Sequence, residues 1–177
     1  VFPNAAGIDR AADLLGPCGC DYSSDLCQRE RRGDRMSLSH VGGWRPALMA
    51  WGERQRCEGW AWGDTDCCTL TRKGLEILFE RDVINAEYSS RQGALAWIQK
   101  QGATAARLLE ARGALLQPAG TIDAGDVIVR PGSDEGMPRI ALALDSEVLL
   151  TSDPIQGPHW IAVKELRRRH RAYRFGA

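Results

Sequence analysis

The residues best suited to chemistry in this chain lie in the run Trp62-Gly63-Asp64-Thr65-Asp66-Cys67-Cys68-Thr69-Leu70. An aromatic-glycine turn leads into Asp-Cys, and either Thr65 or Asp66 is a suitable cap for a helix that begins there. A cysteine in the first turn of a helix meets backbone N–H groups that lack partners inside the helix, at the positive end of its dipole. Both favour the thiolate, which is the attacking form of the side chain. Cys67 is therefore the candidate nucleophile. A buried structural cysteine beneath a helix leaves the same trace in sequence, and spacing does not separate the two.

A nucleophilic thiolate that turns over needs a base, and the chain has three histidines. His40 lies in a polar stretch before the first helix and would serve only in a permuted arrangement. His170 sits within Arg167-Arg168-Arg169-His170-Arg171, which reads as a solvated run of charge. His159, beside Trp160 after a loop, is the remaining candidate base. The other cysteines suggest different roles. Cys18, Cys20 and Cys27 are the candidate metal ligands, one thiolate short of the four that a closed zinc or iron–sulfur site usually takes. Cys57 and Cys68 read as core fillers, since Cys68 follows Cys67 on a helix and must face another way. Trp44, Trp51, Trp60 and Trp62 cluster in sequence around the turn. They suit a sugar-binding cleft, and equally well core packing.

These residues need elements to position them. Trp44, Ala47, Leu48 and Trp51 fall at helical spacing, with Pro46 tolerated in the first turn. The helix from Thr65 or Asp66 would bury Leu70, Gly74, Leu75 and Leu78. Ser90 caps a third helix with Ala94, Leu95, Trp97 and Ile98 inward, and after Gly102 a fourth carries Ala105, Leu108 and Leu109. Beyond Gly113 the pattern changes to short apolar runs: Asp126 to Arg130, Arg139 to Leu144, Glu147 to Thr151, Trp160 to Val163 and Arg171 to Phe175 read as strands. Helices first and antiparallel strands afterwards predict an α+β fold with a small sheet.

Composition narrows the field. At 177 residues and 44% hydrophobic content, the protein suits one domain with a proper core. Its 23 basic and 23 acidic residues balance, so no net charge draws it to nucleic acid or anionic lipid. No apolar stretch approaches the roughly 20 residues of a membrane span. The opening residues lack the basic and apolar regions of a secretion signal, which predicts synthesis in a cytoplasm. Residues 1–35 bring few core side chains beyond Leu14 and Leu15, and read as an extension, disordered or bound to a partner. Met36 looks like the start of the domain, 36–177.

In order and spacing these motifs resemble the NlpC-type, papain-like cysteine peptidases of cell walls. The resemblance is closer still to a phage and prophage family of unknown function related to them. It rests on Trp62 to Cys67, on Tyr88 with Gly93-Ala94, on Gly125-Asp126-Val127-Ile128-Val129, and on the aromatic-ended segment Ala172 to Phe175. It implies a papain-like fold with Cys67 as the nucleophile equivalent. In active members the strand after Gly-Asp begins with the histidine base; here that strand is Arg139 to Leu144, and Arg139 stands in place of the base. A guanidinium stays protonated and cannot accept a proton, although it can favour a neighbouring thiolate. The polar third residue of such triads falls near Thr151 or Ser152. The resemblance thus implies a peptidase fold without its base, needing no cofactor. It would serve as a structural or assembly component of the tail tip or hub of a tailed phage or phage-like particle. Its partners would be other tail-tip proteins, and its location the virion tail after synthesis in the host cytoplasm. The alternative is an active peptidase that cuts peptidoglycan stem peptides with Cys67 and His159. A thiol-based binding or acyl-transfer domain without a phage connection is a third reading.

Overall fold

The computed structural model describes residues 38–102, 104–130, 139–166 and 170–176. These lie within the unit Met36–Ala177. The expectations for residues 1–35, including Cys18, Cys20 and Cys27 as metal ligands, fall outside the described residues. Helix α1 spans Trp44–Gln55, α2 Cys67–Phe79, α3 Arg91–Lys100 and α4 Ala105–Ala111. The strands are β1 (Leu115–Leu116), β2 (Val127–Arg130), β3 (Arg139–Ala143), β4 (Val148–Asp153), β5 (Gly157–Ala162) and β6 (Arg171–Arg174), with a 3-10 turn at Val163–Glu165. Helices precede a six-stranded antiparallel sheet of order β1-β6-β2-β3-β4-β5, so the fold is α+β.

The helix ends follow from local chemistry. Asp66, Ser90 and Thr104 each accept a hydrogen bond from a first-turn N–H, capping α2, α3 and α4. The apolar stripe of α2 is the expected one: Leu70, Gly74, Leu75 and Leu78 are buried. On α1 the stripe is rotated slightly, since Gly52 is buried in place of Ala47, which is exposed. On α3 only Ala94 and Ile98 are buried, with Leu95 and Trp97 half-exposed.

The sheet has a large-residue face and a small-residue face. Val127, Ile140, Leu142, Leu144, Leu150 and Tyr173 join the helices in the main core. Between them, Ile128, Ala141, Ala143, Leu149 and Ala172 turn to the other side and pack under Ile122, Val163 and Leu166. Because both faces are covered, the strands read as continuous apolar runs rather than polar-apolar alternation. Two boundaries differ from the sequence reading. Strand β5 begins at Gly157 rather than Trp160, and Val163 opens the 3-10 turn. The two-residue β1, paired with β6, carries no period of its own and was not expected.

At Gly74, α2 packs tightly on side chains of the sheet and of α1. A Cβ there would overlap the end of Leu142 and lie 3.2 Å from the Trp51 ring. Gly74→Val is expected to lower stability by about 2 kcal/mol through overpacking, measured by urea unfolding. Gly42→Ala, where a Cβ meets no atom within 4 Å, is the control and is expected to be close to neutral.

Candidate functional site

The turn before α2 is organised by one carboxylate. Asp66 is buried and accepts five hydrogen bonds. Its Oδ1 takes the N–H groups of Cys68 at 3.0 Å and Thr69 at 3.2 Å and the Tyr88 hydroxyl at 2.7 Å. Its Oδ2 takes the N–H of Gly63 at 2.7 Å and the Thr69 hydroxyl at 2.9 Å. Gly63 has φ +73°, and a Cβ there would run into the Tyr88 carbonyl, so both conformation and space require glycine. Thr65 closes the same turn, donating to the Gly59 carbonyl and accepting from the Ala61 N–H. Thus the Trp-Gly-x-x-Asp-Cys pattern specifies a hydrogen-bonded turn that delivers Cys67 to the first position of α2.

At that position the sulfur lies against the backbone N–H of Ile140, at the start of β3. The ladder between β3 and β4 has already ended there: it pairs Leu142 with Leu150 and Ala143 with Leu149. The Ile140 carbonyl is taken instead by the Thr151 hydroxyl at 2.8 Å. Cys67 is half-buried as a residue, but its thiol is enclosed, and burial pushes its pKa up to about 11. The N–H groups of Ile140, Cys68 and Cys67 itself pull the other way, and the adjacent Asp66 charge adds to the rise. Burial likewise pushes the buried Cys68 thiol up to about 12. The expectation of a thiolate at neutral pH is therefore reversed: desolvation outweighs the helix end.

The other predicted site residues do not converge on this sulfur. Arg139 is exposed, and strand alternation turns it away from the face that carries Ile140. The helix-facing position at the start of β3 is thus Ile140, one residue from the expected one. His159 pairs with Thr151 in β5. Its neighbour Trp160 packs on the helix side, so His159 faces the opposite side of the sheet. There its Nδ1 lies 2.9 Å from the Gly157 carbonyl and its Nε2 3.8 Å from Asp153. The candidate base is thereby held away from Cys67. His40 stacks on Trp44 and Phe79 and lines a separate cavity of about 220 Å³ with Arg45, Asp123 and Arg174. Trp44 and Trp51 are core residues, while Trp60 and Trp62 meet edge to face, half-buried. Among the described residues no cluster of His, Cys, Asp or Glu is placed to hold a metal ion.

The Gly-Asp-Val motif has a structural basis of its own. Asp126 is fully buried and held by Arg174 of β6 through two hydrogen bonds of 2.7 and 2.8 Å, and it also accepts from the Asp123 N–H. The pair fastens the last strand beside β2, which explains why the terminal segment belongs to the pattern.

These features define an α+β domain with a capped, buried cysteine at the junction of its second helix and its sheet. The chain belongs to a family described as a domain of unknown function, DUF6950, whose model matches residues 39–174. No curated protein and no solved structure matches it.

The weight placed on Asp66 is measurable. Asp66→Ala removes a helix cap, worth about 1 kcal/mol. It also takes the acceptor away from the buried Thr69 hydroxyl and the half-buried Tyr88 hydroxyl, at roughly 1–3 kcal/mol for a buried group left unsatisfied. A loss of about 3 kcal/mol or more is expected in urea unfolding, against about 1 kcal/mol for Tyr88→Phe, which removes one donor.

Proposed function

We propose that this protein is a structural or assembly component of the tail tip or hub of a tailed phage or phage-like particle. In this reading a papain-like, NlpC-type peptidase fold serves as a packing module. The observation that carries it is the environment of Cys67. The thiol occupies the place a nucleophile would take, at a helix start facing the first residues of a strand. Burial keeps it neutral, and the residue facing it from that strand is Ile140. Exposed apolar side chains suited to packing are present as well, at the two opposite edges of the sheet. Leu115 and Leu116 of the edge strand β1 are 41% and 55% exposed, and Ile155 is 94% exposed. Other tail-tip proteins are the partners this reading calls for. An active peptidase would need His159 to leave its side of the sheet.

The test is paired digestion of purified sacculi by wild type and Cys67→Ala. General-base help is worth roughly a hundred- to ten-thousand-fold, so without it the two are expected to release indistinguishable muropeptides. A clear wild-type excess would establish an active cysteine peptidase and overturn the proposal. On the positive side, the protein is expected in particles purified after induction of the source strain and detected by mass spectrometry.

A further inference from the structure

Where β3 and β4 part, two buried polar groups are left without partners. Ser152 is 8% exposed, and its hydroxyl oxygen is enclosed with no hydrogen-bond partner. The indole nitrogen of Trp160 is in the same condition. Nearly all buried polar groups in folded proteins are paired, so each such orphan calls for an explanation. These two are neighbours by register. Trp160 pairs with Leu150, two residues from Ser152 in β4, and alternation puts all three on the helix-facing side. That diagonal spacing is one an aromatic side chain spans. An indole N–H only donates and a serine hydroxyl can donate, so what the pair lacks is an acceptor.

The surroundings indicate which acceptor. The Arg56 guanidinium lies 4.6 Å over the Trp160 ring and covers it. Arg56 is exposed, and no carboxylate among the described residues forms an ion pair with it. The α1–α2 loop, which carries on from Arg56, runs beside the start of β5: a Cβ on Gly157 would lie 3.3 Å from the Glu58 carbonyl and 3.6 Å from the Trp60 nitrogen. The Cys67 thiol, against Ile140, is neutral, and the adjacent Asp66 carboxylate already has its oxygens taken by five donors. A cation with two adjacent unused donors matches a group with two acceptor oxygens and one negative charge.

We propose that Arg56, Trp160 and Ser152 form a binding site for a carboxylate beside Cys67. One oxygen takes the Trp160 N–H and the other the Ser152 hydroxyl, while Arg56 swings off the ring to pair with the charge. The free C-terminus of a peptide and an acidic side group offer the same chemistry. The site deepens the proposed packing role by giving it a ligand chemistry, yet it does not depend on the loss of catalysis. Sacculus digestion can fail or succeed without moving it.

The experiment follows the Trp160 indole N–H in the full-length protein by 1H–15N spectra, with Trp160→Phe identifying its signal among the six tryptophans. Acetyl-Gly-Gly supplies a C-terminal carboxylate and acetyl-Asp-amide a side-chain one. The Trp160 signal is expected to move downfield and saturate with at least one of them, and the stronger binder identifies the source. Arg56→Gln should weaken that binding roughly ten-fold, the scale of one charge-assisted hydrogen bond. Ser152→Ala should weaken it as well, and Cys67→Ala should retain it. Arg139→Gln, on the other face, should leave it unchanged. A Trp160 signal that neither probe moves in the folded protein would overturn the proposal and leave a buried water as the acceptor. So would binding that survives Arg56→Gln, an exposed change whose folding is not in doubt.

Discussion

The Asp66 carboxylate is the point on which this structure turns. Burying a carboxylate is costly unless its oxygens are hydrogen-bonded, and here five donors converge on it from three parts of the sequence. Gly63 brings the turn, Cys68 and Thr69 bring the start of α2, and Tyr88 brings the connection between α2 and α3. In a weakly polar interior such a network is worth more than its separate bonds, and it holds one geometry. Remove the acceptor, and the turn, the helix end and the Tyr88 segment lose their common anchor.

The same group limits the chemistry of its neighbour. By capping α2, Asp66 sets Cys67 among backbone N–H groups that would stabilise a thiolate. By burying the helix start and standing next to it as an anion, it works against that thiolate. Desolvation is the larger influence, and the sulfur's pKa rises to about 11. Position and reactivity are therefore separate properties here. A cysteine can keep the placement of a nucleophile while its surroundings favour the neutral thiol.

How much of this was legible beforehand varied with the kind of signal. The capped start of α2 and its stripe of Leu70, Gly74, Leu75 and Leu78 could be read directly, because cap chemistry and helical period agree. Which residue of β3 faces Cys67 was less legible, and it is Ile140, the neighbour of Arg139. Yet Ile140, Leu142 and Leu144 alternate with Ala141 and Ala143, and the larger set faces the helices. That size alternation was the available clue, masked by a strand apolar on both faces. His159 looked like a loop residue because β5 starts three residues earlier than its apolar pattern, at Gly157-Pro158. Ser152 was visible only as one polar residue near the end of a strand, since the parting of β3 and β4 depends on tertiary packing. The role of Tyr88, 22 residues from Asp66, likewise appears only once the protein is folded.

The most direct test of this account is the ionisation of Cys67 itself. It can be followed by the 13Cβ shift of labelled cysteine across neutral to alkaline pH, with Cys67→Ser assigning the signal. The sign follows from the raised pKa: the fold favours the protonated thiol. That contribution to stability is complete below the ordinary value of 9.0 and is lost as pH climbs through about 11. The account predicts a Cys67 that stays a thiol through neutral pH and ionises near 11, with the fold weakening over the same interval. A midpoint at or below about 7.5, in the range of activated cysteines, would contradict it and return Cys67 to the role of nucleophile.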